Sequence, residues 1–367
     1  MILPEYKKLR VDNLNSVFNS TTNSYKFYWF LAILENIKVG KTKITIDEII
    51  IEMIAEVWYP INYFKLSFGL QDQFNTAIEI IQEKLKLPKD IKKQELILTL
   101  KKRKSIPEIN QLIKNLSRWV PQRFVRPWFS TELRGVKDHI VNKRIIELSD
   151  ESYSDKENPS LYRFNANNII EINPLWVNYL EIHLGILADF TYWNLNLFLQ
   201  NRNPNVGNIP IKLFPPNKRN LSNARKFWNI YLSVNDNMKC IYSDTVINNE
   251  EYSIDHFLPW SFTGHDQLWN LLPTPKSINS SKSDNLPNIK YLNNFISFQY
   301  NAFHDVLALA GSQTKLFEDY SLLFNLSVSE IKNIEKQVFI TKLIDNIKPQ
   351  MQIAKNMGFQ EGWQYLK

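Results

Sequence analysis

Between Ile254 and Pro287 the chain sets a carboxylate, an imidazole, two amides and an ammonium at short intervals. Asp255-His256 comes first, Asn270 follows fourteen residues after the histidine, Asn279 nine after that, and Lys282 three further on. The apolar runs Phe257-Leu258-Pro259-Trp260 and Leu271-Leu272-Pro273 lie between them, so any fold of this stretch must bury those runs while keeping the polar groups satisfied.

These residue types suit phosphodiester hydrolysis. That reaction needs a base to deprotonate water, positive charge at the phosphoryl oxygens and stabilisation of the leaving oxygen. One hard divalent cation can serve the last two needs, and it prefers oxygen ligands with water and phosphate completing its shell. Asp255 offers a carboxylate and Asn279 an amide oxygen, while His256 titrates near working pH and suits the general base. In an extended pair Asp255 and His256 face opposite sides, which separates the two roles. The strand-like runs Cys240–Ser243 and Ser253–His256 predict a hairpin through the polar turn 248–251, with a turn or short helix beginning at Pro275 that puts Asn279 and Lys282 on one face. A buried Asn270 tying down loop backbone is commoner than one in the chemistry.

The segment from about Cys240 to Pro287 resembles the ββα-metal HNH endonuclease domain, and is especially similar to the HNH domain of the RNA-guided type II CRISPR effector nucleases, with the ending Asn-x-x-Lys-Ser-Asp-Asn-x-Pro at Asn279 to Pro287. The resemblance covers about one seventh of the chain, so guide-RNA function is not carried over. It implies Asp255 and Asn279 as ligands of one divalent ion (Mg²⁺ or Mn²⁺), His256 as base, Asn270 as loop brace, Lys282 near the phosphate and a 5′-phosphate product. An Asp-His pair alone is a weak signal, since an isolated histidine is usually a core residue; five positions at matched spacing are harder to obtain by chance. Many HNH proteins brace the unit with a four-cysteine zinc, but Cys240 is the single cysteine here and Ser243 stands where a second would be, so no structural zinc is expected. His265 sits between the motif halves, where a surface role is the default, and His139, His183 and His304 are read as structural.

Net charge is +7, which fits a polyanionic partner. From Lys101 to Arg144, twelve Lys/Arg stand against Glu108, Glu132 and Asp138, a local net of +9; from 201 to 235 there are six basic residues and no acidic one. Arg118, Arg123, Arg126 and Arg134, with Lys218, Arg219 and Arg225, are therefore the candidate DNA contacts. The aromatic-arginine run Trp119 to Phe129 suits either nucleotide stacking or a buried crossing loop.

The fold class expected is α+β, predominantly α-helical: an N-terminal helical region at 1–148, a helical middle at 161–235, the ββα unit at 236–290 and C-terminal helices at 291–367. The stretch 149–160 reads as linker or exposed loop. Tyr25 to Ile37, a break at Val39-Gly40, the strand-like Lys43 to Ile46 and a helix capped by Asp47 and ended by Tyr59-Pro60 suit part of a winged-helix unit or, in the plainer reading, a helical scaffold. Pro174 to Gln200 reads as one long helix with an apolar stripe. No run of eighteen apolar residues and no signal-peptide pattern is seen, so a cytoplasmic protein with no membrane partner is expected. The function expected is a metal-dependent HNH endonuclease acting on DNA, double-stranded by preference, in a bacterial antiviral defence or restriction-like role. The alternatives are a non-catalytic DNA-binding subunit and a nuclease gated by a regulatory protein partner.

Overall fold

The computed structural model describes the chain apart from residues 1, 7, 8, 167, 217, 218, 248–250, 311–313 and 367, and apart from the side chains of Thr314 and Val328. It is about 60% helical with small sheets, an α+β fold dominated by helix. Two compact units divide the described residues, 1–204 with 212–215, and 205–211 with 216–367. The stretch 149–160 falls inside the first unit: the helix there runs on to Glu151, and Ser149 and Ser160 are buried. The chain changes unit at 204–216 instead.

In the first unit α1 (Tyr25–Lys38) is apolar almost all round and therefore buried on most sides, with Trp29, Phe30, Ala32 and Ile33 fully enclosed. β1 (Lys43–Thr45) leads into α2 (Ile46–Trp58). The cap of α2 is Thr45, two residues before the Asp47 that the sequence pointed to. Its hydroxyl accepts from Glu48 N at 3.2 Å, and Thr45 N donates to the Glu48 carboxylate at 3.2 Å, a reciprocal capping box that leaves Asp47 in the first turn. Nor does Pro60 end the helical path, since it sits at the start of a π-helical turn, Tyr59–Tyr63, where its missing N–H costs nothing.

Helices α3 (Phe74–Leu85), α4 (Lys93–Arg103), α5 (Pro107–Ser117), α6 (Val120–Phe124) and α7 (Asp138–Glu151) follow, with a break before Pro107. β2 (Tyr162–Asn165) and β3 (Ile169–Ile172) then form a hairpin, and β1 pairs antiparallel with β3, giving the order β1-β3-β2. Lys43 opposes Glu171, which also binds Arg163 across the hairpin. A strand inserted beside a hairpin is what a winged unit needs. α7, the helix before the hairpin, exposes Lys143 along with Asp138, Glu147, Asp150 and Glu151, a mixed surface that favours neither the winged nor the scaffold account. The predicted long aromatic helix is two, α8 (Pro174–Ile182) and α9 (Leu184–Arg202), interrupted at His183. Its stripe is core as expected: Trp176, Tyr179, Leu180 and Leu187 are fully buried.

The second unit opens with α10 (Ser222–Leu232) and holds the antiparallel pair β4 (Tyr252–His256) and β5 (Leu271–Pro275), followed at once by α11 (Lys276–Lys282). The hairpin expected from 240–243 and 253–256 is thus replaced by a pair whose strands flank the long loop 257–270, while the expected turn at 248–250 lies outside the described residues. Cys240–Ser243 instead forms a tight turn, closed by Cys240 N to Thr245 O at 2.8 Å and Asp244 N to Cys240 O at 3.0 Å. Behind the strands pack α12 (Leu292–Ala310), α13 (Glu318–Phe324) and α14 (Lys336–Asn356), with Phe257 stacked on Phe295 at 4.1 Å and Gln299 donating to Leu271 O at 2.7 Å.

Candidate active site

The register of the strand pair fixes the site, because Asp255 lies opposite Leu272 and His256 opposite Leu271. Alternation along β4 sends their side chains to different partners. One Asp255 oxygen accepts from Tyr242 Oη at 3.0 Å and the other from Lys282 Nζ at 3.1 Å; the carboxylate is 3% exposed and Lys282 is wholly buried. Lys282 also donates to the His256 carbonyl at 2.6 Å, so one ammonium fixes both the carboxylate and the backbone beside it. The sequence put Lys282 near the phosphate; its Nζ is instead directed into the protein.

His256 is nearly enclosed, and its Nε2 lies 2.8 Å from Asp266 Oδ1. A carboxylate only accepts, so Nε2 carries the proton and Nδ1 is left as the basic nitrogen. Burial lowers the His256 pKa, opposed by Asp266 and reinforced by the nearby Arg219. The lowered pKa favours the neutral ring, the form a general base requires. Asp266 reaches this position because Gly264, at φ 69, ends the short helix Trp260–Thr263 and turns the chain back. Sequence reasoning missed it, although it is the only acidic residue between Asp255 and Asp284.

Asn270 has no exposed surface and clamps the loop. Its Oδ1 accepts from Leu258 N at 2.8 Å, its Nδ2 donates to Leu258 O at 2.9 Å, and its carbonyl accepts from Phe257 N at 2.8 Å. Asn279, on α11, donates through Nδ2 to Ser253 Oγ at 3.0 Å and to Ile254 O at 3.4 Å, and its Oδ1 accepts none of the hydrogen bonds found among the described residues. The structure thus gathers Asp255, His256, Asn270, Asn279 and Lys282 into one unit. Tyr242, which no sequence signal marks, is held for its task by edge-on contacts with Tyr291 and Trp363, at 5.1 and 5.2 Å.

Among the described residues no three His, Cys, Asp or Glu side chains converge on one point. The donors here are one carboxylate with two of its roughly four lone-pair positions engaged and one amide oxygen, hard ligands that fit a divalent ion held mainly by water and phosphate.

The cationic residues scatter. In the second unit Arg219 is exposed, 5.1 Å from the Trp260 ring centre, and Arg225 lies 5.9 Å from that of Tyr252; Lys218 is outside the described residues. In the first unit much of the 101–144 excess is neutralised internally: Lys101 pairs with Glu48, Lys104 with Asp47, Arg123 with Asp138, and Arg144 with Glu147 and Glu151. Arg118 lies over Trp119 at 4.9 Å. Arg126 and Arg134 are exposed and have no salt bridge among the described residues.

Residues 240–288 match the family model of the HNH endonucleases. No curated protein and no solved structure matches the chain. No helix among the described residues is long and apolar enough to cross a membrane. The matched segment carries Asp255, His256, Asn270, Asn279 and Lys282, and in that segment the chain is similar to the HNH endonucleases.

Proposed function

We propose that the protein is a metal-dependent nuclease that hydrolyses DNA at this site, with His256 as general base. The observation that carries the reading is the buried His256 with its Nε2 2.8 Å from Asp266 Oδ1, one residue from a carboxylate held by Lys282 and Tyr242. Nδ1 takes a proton from water as the water oxygen bonds to phosphorus. The bond from phosphorus to the 3′ oxygen breaks, leaving a 5′ phosphate, and the 3′ oxygen takes up a proton. Asp266 holds the imidazole in this tautomer and steadies its charged form. Asp255 and Asn279 would hold Mg²⁺ or Mn²⁺, which when bound withdraws charge from the phosphoryl and leaving oxygens. Asn270 keeps the loop after His256 in place, and Lys282 orients Asp255.

Arg219 and Arg225 supply charge beside the site for backbone phosphates, and duplex DNA is the substrate proposed. Purified protein incubated with plasmid and with single-stranded DNA, with Mg²⁺, Mn²⁺ or EDTA, tests this. Cleavage that needs a divalent ion and falls by about 10² to 10⁴ in His256→Ala is expected; equal cleavage by His256→Ala would refute it. A defence or restriction-like setting rests on association alone, and phage challenge of cells carrying the wild type or His256→Ala is its test.

A further inference from the structure

The first unit contains an open cleft of about 1070 Å³, lined by Lys26 of α1, by Trp119, Arg123, Arg126 and Arg134, and by the Ser, Thr and Asn side chains of 19–23. The only acidic residue in its lining is Asp138, and Arg123 already holds that carboxylate at 2.9 Å. Lys26 spends hydrogen bonds on Val17 O at 2.9 Å and Ser20 O at 3.0 Å, which pins its ammonium at the cleft wall. Arg126 and Arg134 have no salt bridge among the described residues, and Trp119 is 43% exposed. Clustered like charges oppose folding, and a bound anion removes that cost.

We propose that this cleft binds a phosphorylated nucleotide, free or as an unpaired residue of a nucleic-acid strand, with its phosphates on Arg126, Arg134 and Lys26 and its base against Trp119. Four cations against one occupied carboxylate call for an anion. The volume is well beyond what inorganic phosphate fills and slightly exceeds the usual range for small-molecule sites, as an open cleft does. An exposed indole among guanidinium groups offers a base a stacking surface, and the hydroxyl and amide groups of 19–23 suit sugar and base edges. Crowding is consistent with this, since burial, then Arg126 and Arg123, holds the Lys26 pKa down to about 8. The proposal stands apart from the nuclease reading, because none of its residues belongs to the strand pair or its loop.

The test is titration of the full chain in EDTA with ATP, inorganic phosphate, a 5′-phosphorylated single-stranded decamer and a 20-base-pair duplex, followed by calorimetry. Arg126 and Arg134 are exposed, so Arg126→Gln/Arg134→Gln should fold normally, as circular dichroism would verify. Saturable binding of ATP supports the free-nucleotide source, and binding of the decamer alone supports the strand source. In either case the double variant should weaken binding at least tenfold, Trp119→Leu should weaken nucleotide and not phosphate binding, and Lys348→Gln, at an exposed position outside the cleft lining, should leave it unchanged. The proposal is overturned if neither ATP nor the decamer binds, if inorganic phosphate binds as tightly as both, if the double variant binds normally, or if only the duplex binds. Loss of cleavage in His256→Ala bears on the nuclease reading and not on these outcomes.

Discussion

Asp266→Ala isolates the contact that the reading of His256 depends on most. The carboxylate lies 2.8 Å from Nε2 and is 22% exposed. A hydrogen bond to a charged partner contributes about 1.5–3 kcal/mol, and partial access of water places this one in the lower half, about 1.5–2 kcal/mol. At about 1.36 kcal/mol per decade, cleavage should slow by about 10- to 30-fold, less than the loss in His256→Ala because the base itself remains. Asp266→Asn, with an amide oxygen able to accept the same N–H, should recover most of that loss. The assay is nicking of supercoiled plasmid at a single turnover with enzyme in excess, alongside DNA binding by anisotropy and a thermal melt. Slower cleavage with unchanged affinity and melting marks a positioning role. A wild-type rate in a folded Asp266→Ala protein, or a rate loss matched by an equal loss of DNA affinity, refutes it.

Three further outcomes follow from the same geometry. Lys282→Met removes the cation from an Asp255 carboxylate that is 3% exposed, and leaving one member of a buried pair costs about 3–5 kcal/mol, so a large drop in denaturant midpoint is expected and an unchanged one would contradict the pairing. Asn270→Ala strands Leu258 N and O, at about 1–3 kcal/mol for each buried group, and Asn270→Asp should be at least as damaging because a carboxylate oxygen then faces Leu258 O; urea melts of both variants check the order. At Glu48 burial raises the pKa, but hydrogen bonds from Lys41 and Thr45 outweigh it and bring it to about 2, against an ordinary 4.5. The folded pKa is the lower one, so the contribution is full above about 4.5 and is lost as pH falls towards 2. At 29% exposure it amounts to at most about 3 kcal/mol, and Glu48→Gln should flatten the acid limb of the stability curve.

The residues of the site were legible in the chain, because a histidine, two asparagines, an aspartate and a lysine at fixed spacing bear on chemistry whatever surrounds them. The helical class was also legible: apolar stripes at three and four residues, as in Trp176, Tyr179, Leu180 and Leu187, report the core face through local periodicity alone. What pairs with what was not. Tyr252–His256 finds Leu271–Pro275 across the loop 257–270 rather than the nearer Cys240–Ser243, because strand pairing is decided by which apolar faces the surrounding helices can cover. The same holds for Asp266 and Tyr242, whose places depend on a Gly264 turn and on an aromatic packing partner at Trp363. Charge followed the same division. How many arginines and lysines lie between 101 and 144 is plain from the chain, whereas only the fold determined that Lys101, Lys104, Arg123 and Arg144 meet carboxylates while, among the described residues, Arg126 and Arg134 have no salt bridge. An ion pair is a matter of a few ångströms between residues as distant in sequence as Asp47 and Lys104.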